Sequence, residues 1–274
     1  FKIKKLLDEI DVIIDDNNLQ FVEHNVQEII DSEDNINVVF NIYEGEKVLV
    51  ERINVIGNSV TDENVIRGEL LLDEGDPYSK LSLEKSISEL KDRRIFKNVK
   101  YDLKSGSKDN LKVIDILVEE QPTGEISAGA GVGTNGGTFA FNIKENNWAG
   151  TGKTVGFEIE IDQESLAGTF SYVDPNYNFL GNSLAYSLSS QSNDKPDQGY
   201  ENSIVSAGIR TSFEQFKDVR ASLGLNASYD DLRTQGNASD ALKKQDGTFN
   251  DLTASYGFSF DKRNRAFMPT SGSI

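Results

Sequence analysis

The glycine-rich stretch at residues 129–137, GAGVGTNGG, is the part of the sequence whose pattern comes nearest to a ligand-binding loop. It contains GVGTNG, which satisfies the G-x-G-x-x-G pattern of loops that bind dinucleotide phosphates. Such a site requires a helix directly after the loop, because the helix N-terminus supplies amide donors and a positive dipole end. Residues 139–143 instead alternate between large apolar and other side chains, which predicts a second strand. We therefore interpret residues 134–137 as a hairpin turn built on the Asn135-Gly136 pair, and not as a nucleotide site.

Other residues with catalytic or metal-binding potential are few and poorly arranged. His24 is the only histidine, so neither a histidine-based triad nor a multi-histidine metal site can be built. Glu158, Glu160 and Asp162 share one face of a predicted strand, because alternate residues of a strand point the same way. We interpret them as charges on the polar face of this strand, which would face the lumen if the strands form a barrel. Residues 15–18, DDNN, lack the ligand spacing of an EF-hand calcium loop. We expect no enzymatic activity, no cofactor and no metal site.

The composition excludes nucleic acid as a partner. The 274 residues carry a formal net charge of -17, whereas nucleic-acid binding needs clustered basic side chains that displace counterions. The absence of cysteine excludes disulfides and thiolate metal sites. The sequence has no run of about 18 apolar residues, and its N-terminus has no signal-peptide pattern. Because the sequence begins at Phe1 and stops within a repeating pattern, we expect it to be a fragment of a longer protein.

Up to about residue 121 the sequence predicts a small α+β unit with the element order β-α-α-β-β. Thr61 is predicted to cap the first helix, and the second helix carries an apolar stripe with charge on the opposite face. The predicted elements are a strand at residues 48–56, a helix at 62–72, a helix from about Ser82, and strands at 97–103 and 111–119. Upstream of them, one helix and two strands match the second half of another such unit.

After Pro122 the apolar residues recur with a period of two, which is the period of strands with two different faces. In residues 155–162, VGFEIEID, four large apolar side chains alternate with one glycine and three carboxylates. Eight segments of this kind are predicted, at about residues 124–133, 139–143, 155–161, 166–172, 184–188, 205–209, 219–229 and 252–260.

Two architectures satisfy this pattern, and they differ in what covers the apolar face. In a soluble sandwich a second sheet buries that face, whereas in an outer-membrane barrel it contacts lipid and the polar face lines a lumen. Residues 219–229 are long enough for a tilted membrane strand, and long polar connections at about 191–202 and 230–247 alternate with short ones. Small side chains are frequent on the polar face, namely Gly156, Ser171, Ser187, Gly224 and Ser255. We favour the barrel, and the sandwich is the alternative.

Residues 44–79 resemble a POTRA domain, a periplasmic β-α-α-β-β unit. The POTRA pattern places I-x-G-N at the end of a strand, T-x-x-x-[IV] at the opening of a helix and [DE]-G-x-x-[YF] in a turn. The matching residues are Ile56, Gly57, Asn58, Thr61, Val65, Glu74, Gly75 and Tyr78. Residues 95–103, IFKNVKYDL, resemble the strand that follows the second POTRA helix.

Three later segments resemble the barrel of BamA-type outer-membrane protein assembly factors. They are NNWAGTGKTVGF at residues 146–157, DPNYNFLGNSL at 174–184 and DKRNRAFMPTSGS at 261–273. The motif residues expected to be structural are Trp148, Gly150, Gly152, Asp261, Arg263, Pro269 and Gly272. The ordered series covers nearly the whole chain and is similar to that family. TamA-like autotransporter-assembly proteins and two-partner secretion transporters of the same superfamily are the alternatives.

The resemblance implies a domain organisation and a location. Residues 1–46 are expected to be the C-terminal part of one POTRA domain, 47–121 a complete POTRA domain, and 122–274 about the first eight strands of an antiparallel transmembrane β-barrel. The barrel is expected in the bacterial outer membrane and the POTRA domains in the periplasm. The implied partners are unfolded outer-membrane protein clients, periplasmic chaperones, assembly lipoproteins and the lipid bilayer.

The function that the resemblance implies is the assembly and insertion of outer-membrane β-barrel proteins. The first barrel strand would form a lateral seam, through Gly124, Ile126, Ala128, Gly129, Gly131 and Gly133. The POTRA edge strand would receive an extended client or partner by β-augmentation, through Phe96, Val99, Tyr101 and Leu103. A seam must open, and glycines weaken a strand, although small residues that merely relieve crowding would leave the same pattern. Alternatives of another class are a pore-forming or a soluble β protein without an assembly function.

Overall fold

A computed structural model describes residues 2–16, 22–30, 36–44, 48–133, 136–263 and 272–274. The chain divides into two compact units. The first unit comprises residues 1–57, 70–90 and 98–119, and the second comprises residues 58–69, 91–97 and 120–274. No helix in the described part of the chain is both long and apolar enough to cross a membrane.

The first unit begins with the helix and two strands that the sequence predicts. They are α1 (Lys2–Asp16), β1 (Val22–Ile30) and β2 (Ile36–Glu44). The two strands pair antiparallel as a two-stranded sheet, with Val26 opposite Phe40. His24 lies in β1, and its Nε2 atom is 2.7 Å from Oδ1 of Asp11 in α1. The one histidine is therefore a strand residue, and among the described residues its carboxylate partner is Asp11 on the helix.

The predicted β-α-α-β-β order is present in the structure. Its elements are β3 (Leu49–Ile56), α2 (Glu63–Arg67), α3 (Lys80–Asp92), β4 (Phe96–Ser105) and β5 (Leu111–Glu120). The strands form a three-stranded sheet in the order β3-β5-β4, with β3 parallel to β5. The strand that comes last in the sequence is thus central, and β4 is at one edge.

The first predicted helix is shorter than expected and has a different cap. Asp62, and not Thr61, is the N-cap residue, and its side chain accepts a hydrogen bond from the Asn64 amide at 2.9 Å. The helix ends at Arg67, and the C-cap residue Gly68 keeps a helical conformation, with its amide donating to the Asn64 carbonyl at 2.9 Å. Farther on, the amide of Leu71 donates to Oγ of Ser86 instead of a carbonyl of its own segment.

The core of the first unit lies between α3 and the three-stranded sheet. The apolar stripe predicted for the second helix is buried there, with Leu83 and Leu90 fully inaccessible to solvent. Ile53 of β3 and Ile114 and Ile116 of β5 are buried as well. The helical period of three to four residues and the strand period of two therefore converge on one apolar core.

The second unit contains an eight-stranded antiparallel sheet. Its strands are β6 (Gly124–Gly133), β7 (Gly136–Glu145), β8 (Thr154–Ile161), β9 (Ser165–Asp174), β10 (Ser183–Lys195), β11 (Tyr200–Phe216), β12 (Val219–Thr234) and β13 (Gly247–Phe260). Each strand pairs with its neighbours in the sequence, so the sheet order runs from β13 to β6. Within the described residues the sheet is open, and β6 and β13 are its two edges.

Two loops are shorter than the sequence suggests, because the strands extend into them. The polar residues 191–195 belong to β10 and pair with residues 200–204 of β11, so only residues 196–199 form the connection. Strand β12 likewise continues to Thr234, and the short helix α4 (Asp240–Lys243) lies in the remaining loop. Polar composition indicated loops here, but a strand continues as long as its backbone is paired and ends only where the pairing ends.

Candidate functional site

The apolar face of the eight-stranded sheet is its more exposed face. In β12, Leu223 and Leu225 are 50% and 53% exposed. The residues that alternate with them, Gly224 and Asn226, are less accessible. In β11 the same alternation makes Val205 more exposed than Ser206. A soluble sandwich would bury the apolar side chains instead. The pattern is the one expected where lipid replaces water on the apolar face.

The opposite face carries a row of small side chains that the strand register brings together. Gly156 is paired with Ser171, Ser171 with Ser187, and Ser187 with Gly208. A Cβ atom on Gly156 would lie 2.7 Å from Oγ of Ser171, and a Cβ atom on Gly208 equally close to Oγ of Ser187. Gly224 has the same relation to Ser255. These glycines therefore leave room for the serine on the next strand.

The carboxylates predicted to face the lumen follow this arrangement. Glu158 and Glu160 alternate with the apolar residues of β8 and lie on the face opposite Phe157. Asp162 follows the strand, and its side chain accepts hydrogen bonds from the amide of Glu164 and the hydroxyl of Ser165. Asp162 therefore stabilises the turn between β8 and β9.

The predicted seam strand is an edge of the sheet. Strand β6 pairs only with β7 among the described residues, from Gly124 opposite Glu145 to Gly133 opposite Gly136. Every residue of β6 is exposed, including Ile126 at 72% and Val132 at 93%. The six residues proposed for the seam all lie in this strand, namely Gly124, Ile126, Ala128, Gly129, Gly131 and Gly133.

Three of the four glycines of β6 are not required by crowding. A Cβ atom on Gly129, Gly131 or Gly133 would meet no other atom within 4 Å. The glycine-rich loop of the nucleotide alternative is also not followed by a helix, since β7 begins at Gly136. The hairpin joins Gly133 to Gly136, and the turn residues 134 and 135 lie outside the described residues. The absence of side chains at Gly129, Gly131 and Gly133 thus has no steric cause among the described residues of the sheet.

The predicted POTRA edge strand also lies at a sheet edge. The four residues named for it lie in β4, and the first two, Phe96 and Val99, are buried in the hydrophobic interior. Tyr101 is half-buried and Leu103 is 41% exposed. Of these four residues, only the two in the C-terminal half of β4 therefore have side chains that a partner strand could contact. The backbone of β4 is also accessible for pairing.

The other edge of the three-stranded sheet is covered by a turn. The amide of Val50 in β3 donates to the carbonyl of Asp76 at 2.8 Å, and the Val50 carbonyl accepts from the amide of Gly75 at 2.7 Å. Pro77 also forms a bridge with Leu49. Because residues 75–78 occupy this side of β3, β4 is the edge without a backbone partner in the described part of the sheet.

The POTRA motif residues have local geometric causes. Gly57 has a φ of +101°, and a Cβ atom there would lie 2.1 Å from the carbonyl oxygen of Val118. Gly75 has a φ of +96° but open space around it. The side-chain amide of Asn58 donates to the Thr61 carbonyl at 3.1 Å, and Thr61 itself is buried. The motif therefore encodes a tight chain reversal after β3 rather than a helix cap.

The motif after β7 forms a turn that contains two glycines with positive φ. Gly150 and Gly152 have φ values of +75° and +69°, a region that side chains with a Cβ atom rarely adopt. Trp148 is 53% exposed, and its amide closes the turn by donating to the Lys153 carbonyl. Both glycines of the motif are thus explained by backbone conformation.

The last predicted motif is described only in part. Arg263 donates to Asp261 from Nε at 2.8 Å, so these two residues form an ion pair. Gly272 has a φ of +100°, and a Cβ atom there would lie 2.1 Å from the carbonyl oxygen of Lys262. Pro269 lies outside the described residues.

Sequence reasoning missed a carboxylate that organises the chain between β3 and α2. Glu120, at the end of β5, accepts hydrogen bonds from the amides of Ser59, Val60 and Thr61 and from the Ser59 hydroxyl. Burial raises the pKa of Glu120, but these hydrogen bonds outweigh it and lower the pKa from 4.5 to about 2. A single glutamate in a sequence with 45 acidic residues gives no signal of this kind.

Comparison with known families identifies two domains in the chain. Residues 48–121 match the POTRA family, described as a surface antigen variable number repeat. Residues 147–274 match the Omp85 superfamily domain. The first match spans β3 to β5, and the second begins at the turn after β7.

Relatives of known sequence or structure agree with these domains. The chain is 26% identical over 250 residues to the outer membrane protein assembly factor BamA of Neorickettsia risticii, which covers 88% of this chain and 33% of that protein. The crystal structure of Haemophilus ducreyi BamA lacking POTRA domains 1–3 matches with a TM-score of 0.67 at 20% identity, covering 92% of this chain and 51% of that one. CdiB from Escherichia coli matches with a TM-score of 0.53 at 12% identity, covering 87% and 46%. The chain thus spans about a third of the length of this curated relative.

Proposed function

Because this chain belongs to the Omp85 superfamily of BamA-type outer-membrane proteins, we propose that it serves in the assembly and insertion of outer-membrane β-barrel proteins. Its barrel strands lie in the outer membrane and its POTRA domain in the periplasm. The proposed activity needs no covalent chemistry, since the barrier is physical. An incoming chain must pair its backbone groups before it enters hydrocarbon, where unpaired groups cost several kcal/mol each.

The observation that carries the proposal is the pair of strand edges. Strand β6 presents a ten-residue edge, and its last three glycines have open space around them. No side chain at these three positions therefore obstructs an extended client that pairs with the edge. Strand β4 presents the second edge, at a sheet whose other edge is covered by residues 75–78. An extended chain received by β-augmentation at β4 would keep its backbone groups paired before insertion. At β6 the same pairing would template the first strand of the client.

The proposal is tested by depleting the full-length protein from its bacterium and measuring many outer-membrane proteins. We expect the folded amounts of many unrelated β-barrel proteins to fall together, while periplasmic proteins keep their levels. Loss of a single exported substrate, with other barrel proteins unaffected, would contradict an assembly function.

That contrary outcome defines the second candidate, a secretion transporter of the same superfamily. One observation favours this candidate. The fold also matches that of CdiB, which is not named as an assembly factor. Such a transporter would use the barrel as a path for one substrate instead of a template for many.

A further inference from the structure

The turn at residues 147–152 is joined to residues 58–69 by a buried asparagine. Asn147 is 8% exposed, and its Nδ2 atom donates to Oγ1 of Thr61 at 2.9 Å. Its Oδ1 atom accepts from the amide of Gly152 at 2.7 Å. One side-chain amide therefore ties the turn to itself and to Thr61, and Thr61 is only 3% exposed. Buried amide groups with both ends satisfied fix geometry, because breaking either bond strands a polar atom.

The backbone of the same turn approaches residues 58–69 at van der Waals distance or closer. The amide of Asp62 donates to the Gly150 carbonyl at 2.8 Å. A Cβ atom on Gly150 would lie 2.1 Å from the carbonyl oxygen of Val60. A Cβ atom on Gly152 would lie 2.6 Å from Cγ1 of Val65. The two glycines are thus needed for contact as well as for positive φ.

Polar contacts extend this junction on both sides. Arg93 donates to the Gly152 carbonyl and, at 2.9 Å, to Oε1 of Glu69. The side chains of Arg93 and Glu69 are 15% and 13% exposed, so solvent screens this pair only weakly. In the turn between β9 and β10, Nδ2 of Asn176 donates to the Gly68 carbonyl at 2.9 Å. Two turns of the sheet therefore hold both ends of the 58–69 segment.

We propose that residues 147–152 form a clasp that fixes residues 58–69 to strands β7–β10, so that this segment and the strands move as one body. The clasp explains why the turn requires Asn147, Gly150 and Gly152 together, since each makes a separate contact with the segment or supports one. It is independent of the proposed function, because an assembly factor and a secretion transporter would both need a fixed attachment here.

Hydrogen exchange of the full-length protein, read by mass spectrometry, tests the clasp. Asn147→Ala removes both amide bonds, and Gly150→Ala drives a methyl group into the Val60 carbonyl. We expect the amides of residues 58–69 to exchange about tenfold faster or more in each variant, because local opening becomes easier when a buried hydrogen bond is lost or a close contact is disrupted. Unchanged exchange in β11 and β12 verifies that each variant is folded.

Two matched variants separate the clasp from general turn strain. Gly247→Ala alters another glycine with positive φ, +139°, but with open space around it, at the start of β13. Asn237→Ala removes an asparagine whose bond, to the carbonyl of Pro196, joins two loops at the other end of the strands. We expect wild-type protection of residues 58–69 in both. The proposal is overturned if Asn147→Ala and Gly150→Ala leave that protection unchanged, or if the matched variants reduce it equally.

Discussion

At the scale of single residues, Glu120 shows how one carboxylate can supply the hydrogen-bond acceptors that a helix or strand would otherwise supply. The chain between β3 and α2 turns too sharply for its amides at residues 59–61 to pair with other backbone, and Glu120 accepts hydrogen bonds from all three. Hydrogen bonds to an ionised acceptor are stronger than neutral ones. The contribution of Glu120 to stability therefore depends on its charge.

We expect this contribution to be pH-dependent. The folded pKa is about 2 and the ordinary value 4.5, so the unfolded chain binds the proton first as the pH falls. The stabilisation is fully present above about pH 4.5 and disappears as the pH falls towards 2. Glu120→Gln lacks the charge, so pepsin should cleave the variant faster than the wild type near residues 58–62 at pH 4.5.

The measurement is the ratio of variant to wild-type cleavage rates at each pH between 2 and 5. It should fall towards one as the pH approaches 2 and protonation removes the charge of Glu120. Asp109→Asn, which removes an exposed carboxylate in the turn between β4 and β5, serves as the control and should leave the ratio near one throughout. A ratio for Glu120→Gln that does not change with pH would refute a role for its charge.

At the scale of elements, β6 differs from the other strands in what its glycines do. Gly156, Gly208 and Gly224 leave room for serines on neighbouring strands, so their small size is used by packing. Gly129 and Gly131 have open space, so a side chain there would be accommodated. Glycine in a strand costs roughly 0.5–1 kcal/mol relative to a residue with a side chain. The weakness of β6 is consistent with an edge that exchanges partners.

Gly131→Val should strengthen β6 and slow the insertion of clients by the full-length protein. Valine favours extended backbone, and a gain of about 0.5–1 kcal/mol corresponds to a rate reduced by about two- to fivefold. The measurement is the insertion rate of an unfolded barrel protein into liposomes that contain the reconstituted variant. Gly168→Val in the interior strand β9, where only a carbonyl oxygen at 3.9 Å is near, is the matched control. Equal rates for Gly131→Val and wild type would contradict the seam hypothesis.

The elements that could be predicted from sequence are those whose pattern is purely local. The period-two alternation located all eight strands, and the stripe at Leu83 and Leu90 identified the buried face of α3. The ends were less predictable, because a strand such as β10 continues through polar residues as long as its neighbour pairs with them. The cap of α2 was misassigned because Thr61 is used by Asn147, which lies 86 residues away. Contacts of this range leave no local pattern.

The same distinction applies to the candidate site. The motif glycines indicated unusual backbone, and Gly57, Gly150 and Gly272 have positive φ. Their partners were not predictable, because a close approach such as that between Gly57 and Val118 depends on the folded sheet. The edge positions of β4 and β6 came from the resemblance to a family, since sheet order is not encoded in any single strand.

At the scale of the whole molecule, hydrocarbon has opposite effects on the exposed apolar face and on the open edges of the sheet. Hydrocarbon favours the apolar side chains of β12, such as Leu225, and penalises any unpaired backbone group. The formal charge of -17 therefore belongs to the polar face, the loops and the periplasmic part of the chain. The two faces of the sheet should consequently respond in opposite ways to an added charge.

Leu225→Lys and Asn226→Lys place the same ammonium group on opposite faces of adjacent residues in β12. Leu225 is 53% exposed on the apolar face, and a lysine there would face lipid at a cost of about 2–4 kcal/mol near the bilayer midplane. Asn226 lies on the face with small polar side chains, opposite Gly208, where water would solvate a cation. We expect the full-length Leu225→Lys variant to fold into liposomes with a strongly reduced yield, whereas Asn226→Lys retains a yield close to wild type. Protection from external protease measures both yields, and an equal loss in the two variants would mean that lipid does not contact the apolar face.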